Sequence, residues 1–177
     1  MRKLANEELK RKSVSEFRES PKTPFVVVLD NVRSLNNTGS VFRTADAFLI
    51  ESVLLCGITG TPPHREINKT ALGATESVSW KYFSDTAEAV RALREEGYLI
   101  VSVEQAEGSV PLADFMPVKG CKYALVFGHE INGVQQEVIG LSDSCIEIPQ
   151  FGTKHSFNIA VSVGIVLWDL YGKVKTL

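Results

Sequence analysis

The sequence predicts an α/β fold, a mostly parallel sheet covered by helices on both faces. Short apolar runs of strand length recur along the chain, and helical patterns lie between them. The run 123–127 is continuous enough to be a strand buried on both faces, as strands of parallel sheets are. At 177 residues the chain is long enough for one domain with a sizeable core.

Residues 1–23 read as a basic helical arm. The first 22 carry seven Lys or Arg against four Glu, and a linker at 20–23 is marked by Pro21 and Pro24. A solvated arm and a nucleic-acid tail both fit that charge. Residues 24–177 form the main domain. Strands are expected at 25–29, 52–56, 98–103, 123–127 and 145–148, with 78–83 a weaker candidate. Helices are expected at 40–48, 85–96, 133–141 and 157–171. The clearest is 85–96: Asp85 can cap it, Glu88 three residues on completes a capping box, and Gly97 supplies the stop.

The formal charge of −2 means the whole chain is no polycation, so charge alone does not establish an RNA partner. The opening MRKLANEELKRK lacks the apolar segment of a signal peptide. The apolar run 159–170 is too short and interrupted to span a bilayer, so no membrane partner is expected. Cys56, Cys121 and Cys145 are odd in number, widely spaced and beside apolar residues, the pattern of reduced thiols. A cytoplasmic location follows as the default. His64, His129 and His155 show no metal-ligand spacing, and no metal is expected.

A dinucleotide-binding Rossmann domain lacks its fingerprint here. The first strand leads into DNVRSLNNTGS, with one glycine where a phosphate turn needs several, and no P-loop lysine motif is present.

Three polar constellations stand at strand exits and at a helix mouth, where α/β sheets bind ligands. The first runs from Asn31 to Asp46. A loop with Asn side chains bonding backbone, followed by an amphipathic helix, explains Asn36 and Asn37 but not Arg43. If Gly39 turns the chain into the helix, Asn37 and Arg43 come within reach of one another. Arg43 amid Val41, Phe42, Ala45 and Ala47 wants an anionic partner, a phosphate or a carboxylate. The second is Gly128-His-Glu130-Ile-Asn-Gly133. It is either a plain turn, with Gly133 at positive φ and Glu130 in solvent, or a site where Gly128 lets a ligand approach the backbone. The third runs from Ile148 to Asn158. There Ser156 or Asn158 can cap the last helix, and capping does not need both. His155 beside Ser156 makes no hydrolase, because the G-x-S-x-G elbow is absent.

With all three in view, the chain resembles the SpoU (TrmH-like) class of SPOUT RNA methyltransferases. The family's first motif matches Asn37, Gly39 and Arg43-Thr-Ala-Asp-Ala-Phe48; its second matches Leu125-Val-Phe-Gly128-His-Glu130-Ile-Asn-Gly133. The third matches Ile146-Glu-Ile148-Pro149, Gly152 and Ser156-Phe-Asn158. Asn68 to Ala74 is family-like too, and the resemblance covers about residues 24–172. Leu49, Phe157 and Thr38 depart from the usual glycine, leucine and aliphatic residue, and none is a polar motif residue.

The resemblance implies a deep C-terminal trefoil knot, among the rare exceptions to unknotted topology. It implies S-adenosylmethionine as cofactor, bent and held by knot loops at Gly128, Ile148 and Phe157, with Gly133 and Glu104 beside them. It implies a homodimer that completes an RNA site across its interface; the apolar 159–170 helix, with Gly164 permitting close approach, fits burial in knot or dimer. The reaction implied is methyl transfer to a ribose 2′-hydroxyl, in tRNA first and rRNA second. Arg43, given the base role by the family proposal, suits phosphate clamping and charge stabilisation better, because a guanidinium stays protonated. Asn37, Glu130, Ser156 and Asn158 would position ribose, Arg43 and loops. A catalytically silent knotted RNA-binding protein is the alternative.

Overall fold

The computed structural model describes residues 1–176. Seven strands form one sheet: β1 (Thr23–Asp30), β2 (Ile50–Cys56), β3 (Ser79–Phe83), β4 (Tyr98–Val103), β5 (Val110–Pro111), β6 (Lys122–Phe127) and β7 (Ser144–Glu147). Their order is β3-β2-β1-β6-β4-β7-β5, and every neighbouring pair is parallel. The helices are α1 (Val14–Glu19), α2 (Leu35–Ala47), α3 (Arg65–Ala71), α4 (Ala74–Ser77), α5 (Thr86–Glu95), α6 (Gln136–Leu141) and α7 (Ile159–Thr176).

Alternate residues of the central strands serve opposite cores. Phe25, Val27 and Leu29 of β1 join Leu55 and Leu125 beneath α2, α3 and α7, where Val41, Phe42, Ile67 and Leu167 cover them. Val26 and Val28 join Leu54, Ala124 and Val126 beneath α5 and α6, covered by Val90, Leu93 and Val138. Burial on both faces is why these strands read as unbroken apolar runs. β3 at the sheet edge is largely exposed, which is why its pattern is weak.

Helix boundaries depart from the sequence pattern in instructive places. α2 begins at Leu35 rather than near residue 40, because the Ser34 side chain caps it by accepting the Asn37 N–H at 3.2 Å. Asn36, Asn37 and Gly39 are therefore helical. Asn37 and Arg43 do not meet around a turn; six helical residues separate them by about 9 Å of rise. Gly39 instead admits α3: a Cβ there would meet Thr70 Oγ1 at 2.1 Å and the Ile67 carbonyl oxygen at 2.2 Å. Helices α3 and α4 have no counterpart in the sequence pattern, since seven and four residues are too few to show a period. Asp85 caps α5 by accepting the Glu88 N–H at 2.9 Å, though the reciprocal half of the box is not made. Gly97 at φ +84° ends that helix.

Two family departures find their places. Leu49 takes the left-handed conformation itself, at φ +52°, at a cost of about 1–2 kcal/mol. Thr38 is buried, and its hydroxyl donates to the Ser34 carbonyl at 3.2 Å.

Candidate active site

β4, β6 and β7 end at a cavity of about 260 Å³. Val103, Phe127, Ile148, Phe157 and Ile159 supply its apolar lining; Glu104, Gly128, Glu130, Gly133 and Ser156 also line it. The five residues expected around a cofactor thus share one cavity, together with Glu130 and Ser156.

A chain of hydrogen bonds joins the three motifs beside this cavity. The Glu130 carboxylate accepts the backbone N–H of Arg33 at 3.1 Å and of Ser34 at 3.0 Å, at the mouth of α2. It also accepts the Asn37 amide at 3.2 Å. The Asn37 carbonyl accepts the Asn158 amide at 3.1 Å, and Asn158 Oδ1 accepts the Ala160 N–H at 2.9 Å. Asn158 is therefore the residue that caps α7, while Ser156 stands exposed beside the cavity. Burial works against ionisation of Glu130, but donors from Arg33, Ser34 and Asn37 outweigh it and hold the carboxyl below its ordinary value.

The loop from Gly128 to Gln135 is tied down at several points. His129 and Gly133 exchange backbone bonds at 3.0 and 2.9 Å, and His129 Nδ1 accepts the N–H groups of Ile131 and Asn132. His129 thus serves the turn itself. Glu104 accepts the Val134 N–H at 2.9 Å and the Gln105 N–H at 2.8 Å. Gly133 has φ +68°, and a Cβ on it would meet Glu104 Oε2 at 2.1 Å. Gly128 makes room for the chain's own return rather than only for a ligand: its Cβ would lie 2.0 Å from the Gly133 carbonyl carbon.

Asp30, which the sequence reading passes over, anchors the far end of this loop. It is fully buried at the end of β1 and accepts from the Gln135 N–H (2.8 Å), the Gln135 amide (2.7 Å), the Thr86 hydroxyl (2.7 Å) and the Asn31 amide (2.9 Å). A carboxylate closing an otherwise apolar strand was the available signal. Cys56 lies in the same core as a free thiol, pushed up to about 12 by burial.

Arg43 lies elsewhere. It is exposed, its guanidinium makes no hydrogen bond or ion pair among the described residues, and it lines a second cleft between α2, α4 and the N-terminal arm. Its apolar neighbours Val41, Phe42 and Ala45 face the core on the other side of α2, so no buried partner for its charge is needed. Among the described residues, no group of three or more His, Cys, Asp or Glu could hold a metal, and no helix is long and apolar enough to cross a membrane.

Fold and site together fit one class, the SPOUT methyltransferases: a parallel sheet whose strand ends meet a cavity lined by the second and third polar motifs, with the first bonded to both beside it. The chain belongs to the SpoU rRNA methylase family, whose model matches residues 24–168. It is 29% identical over 163 residues to the tRNA (guanosine(18)-2′-O)-methyltransferase of Thermus thermophilus, covering 92% of this chain and 81% of that protein. It is 30% identical over 144 residues to the 23S rRNA (guanosine-2′-O-)-methyltransferase RlmB of Neisseria meningitidis, covering 81% of this chain and 56% of the relative. An rRNA methyltransferase from Sinorhizobium meliloti, solved with AdoMet bound, superposes at a TM-score of 0.78 with 28% identity, over 86% of this chain and 58% of that one.

Proposed function

We propose that this protein transfers the methyl group of S-adenosylmethionine to a ribose 2′-hydroxyl in structured RNA, tRNA first and rRNA second. The observation that carries the reading is the Glu130–Asn37–Asn158 chain, which joins all three motifs beside one cavity. The tRNA enzyme of Thermus is matched over the larger share of its length, which favours tRNA.

The cavity suits the cofactor. Val103, Phe127, Ile148 and Phe157 offer apolar walls to an adenine, and the loops at Gly128 and Glu104 offer polar groups. Its volume lies near the ~300 Å³ lower bound of small-molecule sites. When bound, the cofactor supplies an electrophilic methyl on a sulfonium sulfur.

The chain's own residues do the positioning. Glu130 fixes the mouth of α2 and, through Asn37, the cap of α7. Ser156, exposed beside the cavity, offers its hydroxyl to the ribose. Arg43 clamps a phosphate with two parallel bonds and stabilises charge developing on the 2′-oxygen. Because Arg43 opens onto a different cleft from the cavity, the site is completed in this proposal by a second copy. The outer face of α7 suits that homodimer: Ile159, Val163, Val166, Leu167 and Leu170 are buried, but Val161 and Trp168 are exposed, the latter by 70%, and Gly164 faces open space. A helix apolar on all sides wants a cover on both. In this reading the protein carries a deep trefoil knot, works in the cytoplasm, and divides into an arm, 1–23, and a methyltransferase domain, 24–177.

The test is to incubate the purified protein with methyl-labelled S-adenosylmethionine and total RNA from cells lacking the gene, then digest to nucleosides. Label in a 2′-O-methyl nucleoside from the tRNA fraction is expected. Label on a base instead of a ribose would overturn the reaction, and label confined to rRNA would overturn the substrate order.

A further inference from the structure

We infer that the second cleft, between the N-terminal arm and helices α2 and α4, is a docking groove for the RNA backbone flanking the target nucleotide; the inference rests on the RNA-methylating reading above. The cleft has a volume of about 520 Å³. Lys10, Arg11 and Lys12 of the arm and Arg43 of α2 all line it. None of the four side chains makes a hydrogen bond or ion pair among the described residues. Glu16, four residues on from Lys12, accepts the Ser13 N–H at 2.7 Å and hydroxyl at 2.8 Å and feels the Lys12 charge only through space, without an ion pair.

Two carboxylates share the lining, Asp46 and Glu76, and Asp46 already accepts the Ser77 hydroxyl at 2.5 Å. Four cations therefore face two carboxylates in a chain whose formal charge is −2. Positive charge gathered against the overall balance repels itself unless a polyanion neutralises it.

The arm is moored beside the cleft. Phe17 is buried in the core at 4% exposure, and the Arg18 guanidinium donates to the Glu76 carbonyl at 2.5 and 3.2 Å. Ser13 caps α1 by accepting the Glu16 N–H at 3.3 Å. The basic triplet thus forms a wall opposite α2. Three consecutive cations facing a fourth suit a run of phosphates, which a nucleic-acid backbone presents and a single small anion does not. Arg43 would take the phosphate at the reacting ribose, and the triplet would take its neighbours.

The test compares the wild type with a K10Q/R11Q/K12Q variant in filter binding to an unmodified tRNA transcript across a KCl series. Loss of about three phosphate contacts should weaken binding at least tenfold at 0.1 M salt. It should also flatten the log–log salt dependence by about 2, since each contact contributes roughly 0.7–0.9. S-adenosylmethionine affinity and thermal midpoint should not change, because the three side chains are exposed and line the second cleft, not the cofactor cavity. An unchanged slope and an affinity within twofold of wild type, in a protein that still methylates RNA, would overturn this inference alone. A wild type that binds no RNA at any salt would overturn the functional reading with it. Polyglutamate bound as tightly as tRNA would assign the cleft to an acidic protein instead.

Discussion

The two loops that flank the candidate cavity are built in opposite ways. In the loop after β6, the N–H groups of His129 and of every residue from Ile131 to Gln135 donate within the chain, to backbone, to His129 Nδ1, or to the carboxylates of Glu104 and Asp30. In the loop after β7, no backbone N–H from residue 150 to 157 finds an acceptor among the described residues, and residues 151–158 are all exposed. Phe151 is 97% exposed. One wall of the site is bonded through its own N–H groups; the other is held through the His155 carbonyl, which accepts the Gln105 amide at 2.8 Å. Segments with few internal bonds lie at the low end of local stability, where elements that close on ligands are found.

Removing Glu130 should break the contrast most severely. Glu130→Ala leaves the Arg33 and Ser34 N–H groups and the Asn37 amide without their acceptor. Methyl transfer should fall on the order of 100-fold in kcat/KM, ~2.7 kcal/mol, within reach of losing several bonds to a charged group. Steady-state kinetics with labelled cofactor checks this, and a loss under threefold would sink the positioning role.

Asp30→Asn replaces an acceptor of four donors by a group that must itself donate. Unfolding in urea should show a loss of roughly 2–3 kcal/mol, the cost of leaving buried partners of a charged group unsatisfied. A paired glycine comparison sharpens the point. Gly133→Ala should cost about 1–2 kcal/mol, because φ is +68° and the new Cβ meets Glu104. Gly152→Ala in the other loop meets nothing within 4 Å and should stay within ~0.5 kcal/mol of wild type.

The smallest effect is with pH. Because the folded Glu130 carboxyl is held below its ordinary 4.5, its contribution to stability is complete above that value and drains away as pH falls through the lower folded value. Melting curves of wild type and Glu130→Gln should therefore run parallel near neutrality and converge in acid below pH 4.5. A gap that stays constant into acid would contradict the assignment.

The sheet was legible because its central strands are apolar on both faces, and that signal needs no knowledge of partners. The identities of Asn37, Glu130 and Asn158 were legible because polar groups at strand and helix ends stand out against apolar runs. Their connections were not. Glu130 and its acceptor-seeking partners Arg33 and Ser34 lie 97 and 96 residues apart, and only the tertiary path brings them together. Arg43 read as a cation on an apolar element because one-dimensional neighbours look alike whichever way a helix faces; the three-dimensional path turned it to solvent. Asp30 escaped notice for the related reason that a carboxylate after an apolar strand usually starts a loop.

The most direct test of the account is amide hydrogen exchange with and without S-adenosylmethionine. Without it, residues 131–135 should be protected while 150–157 exchange freely; with it, protection should rise chiefly in 150–157. Equal protection of both loops in the free protein, or no response of either to the cofactor, would contradict the account.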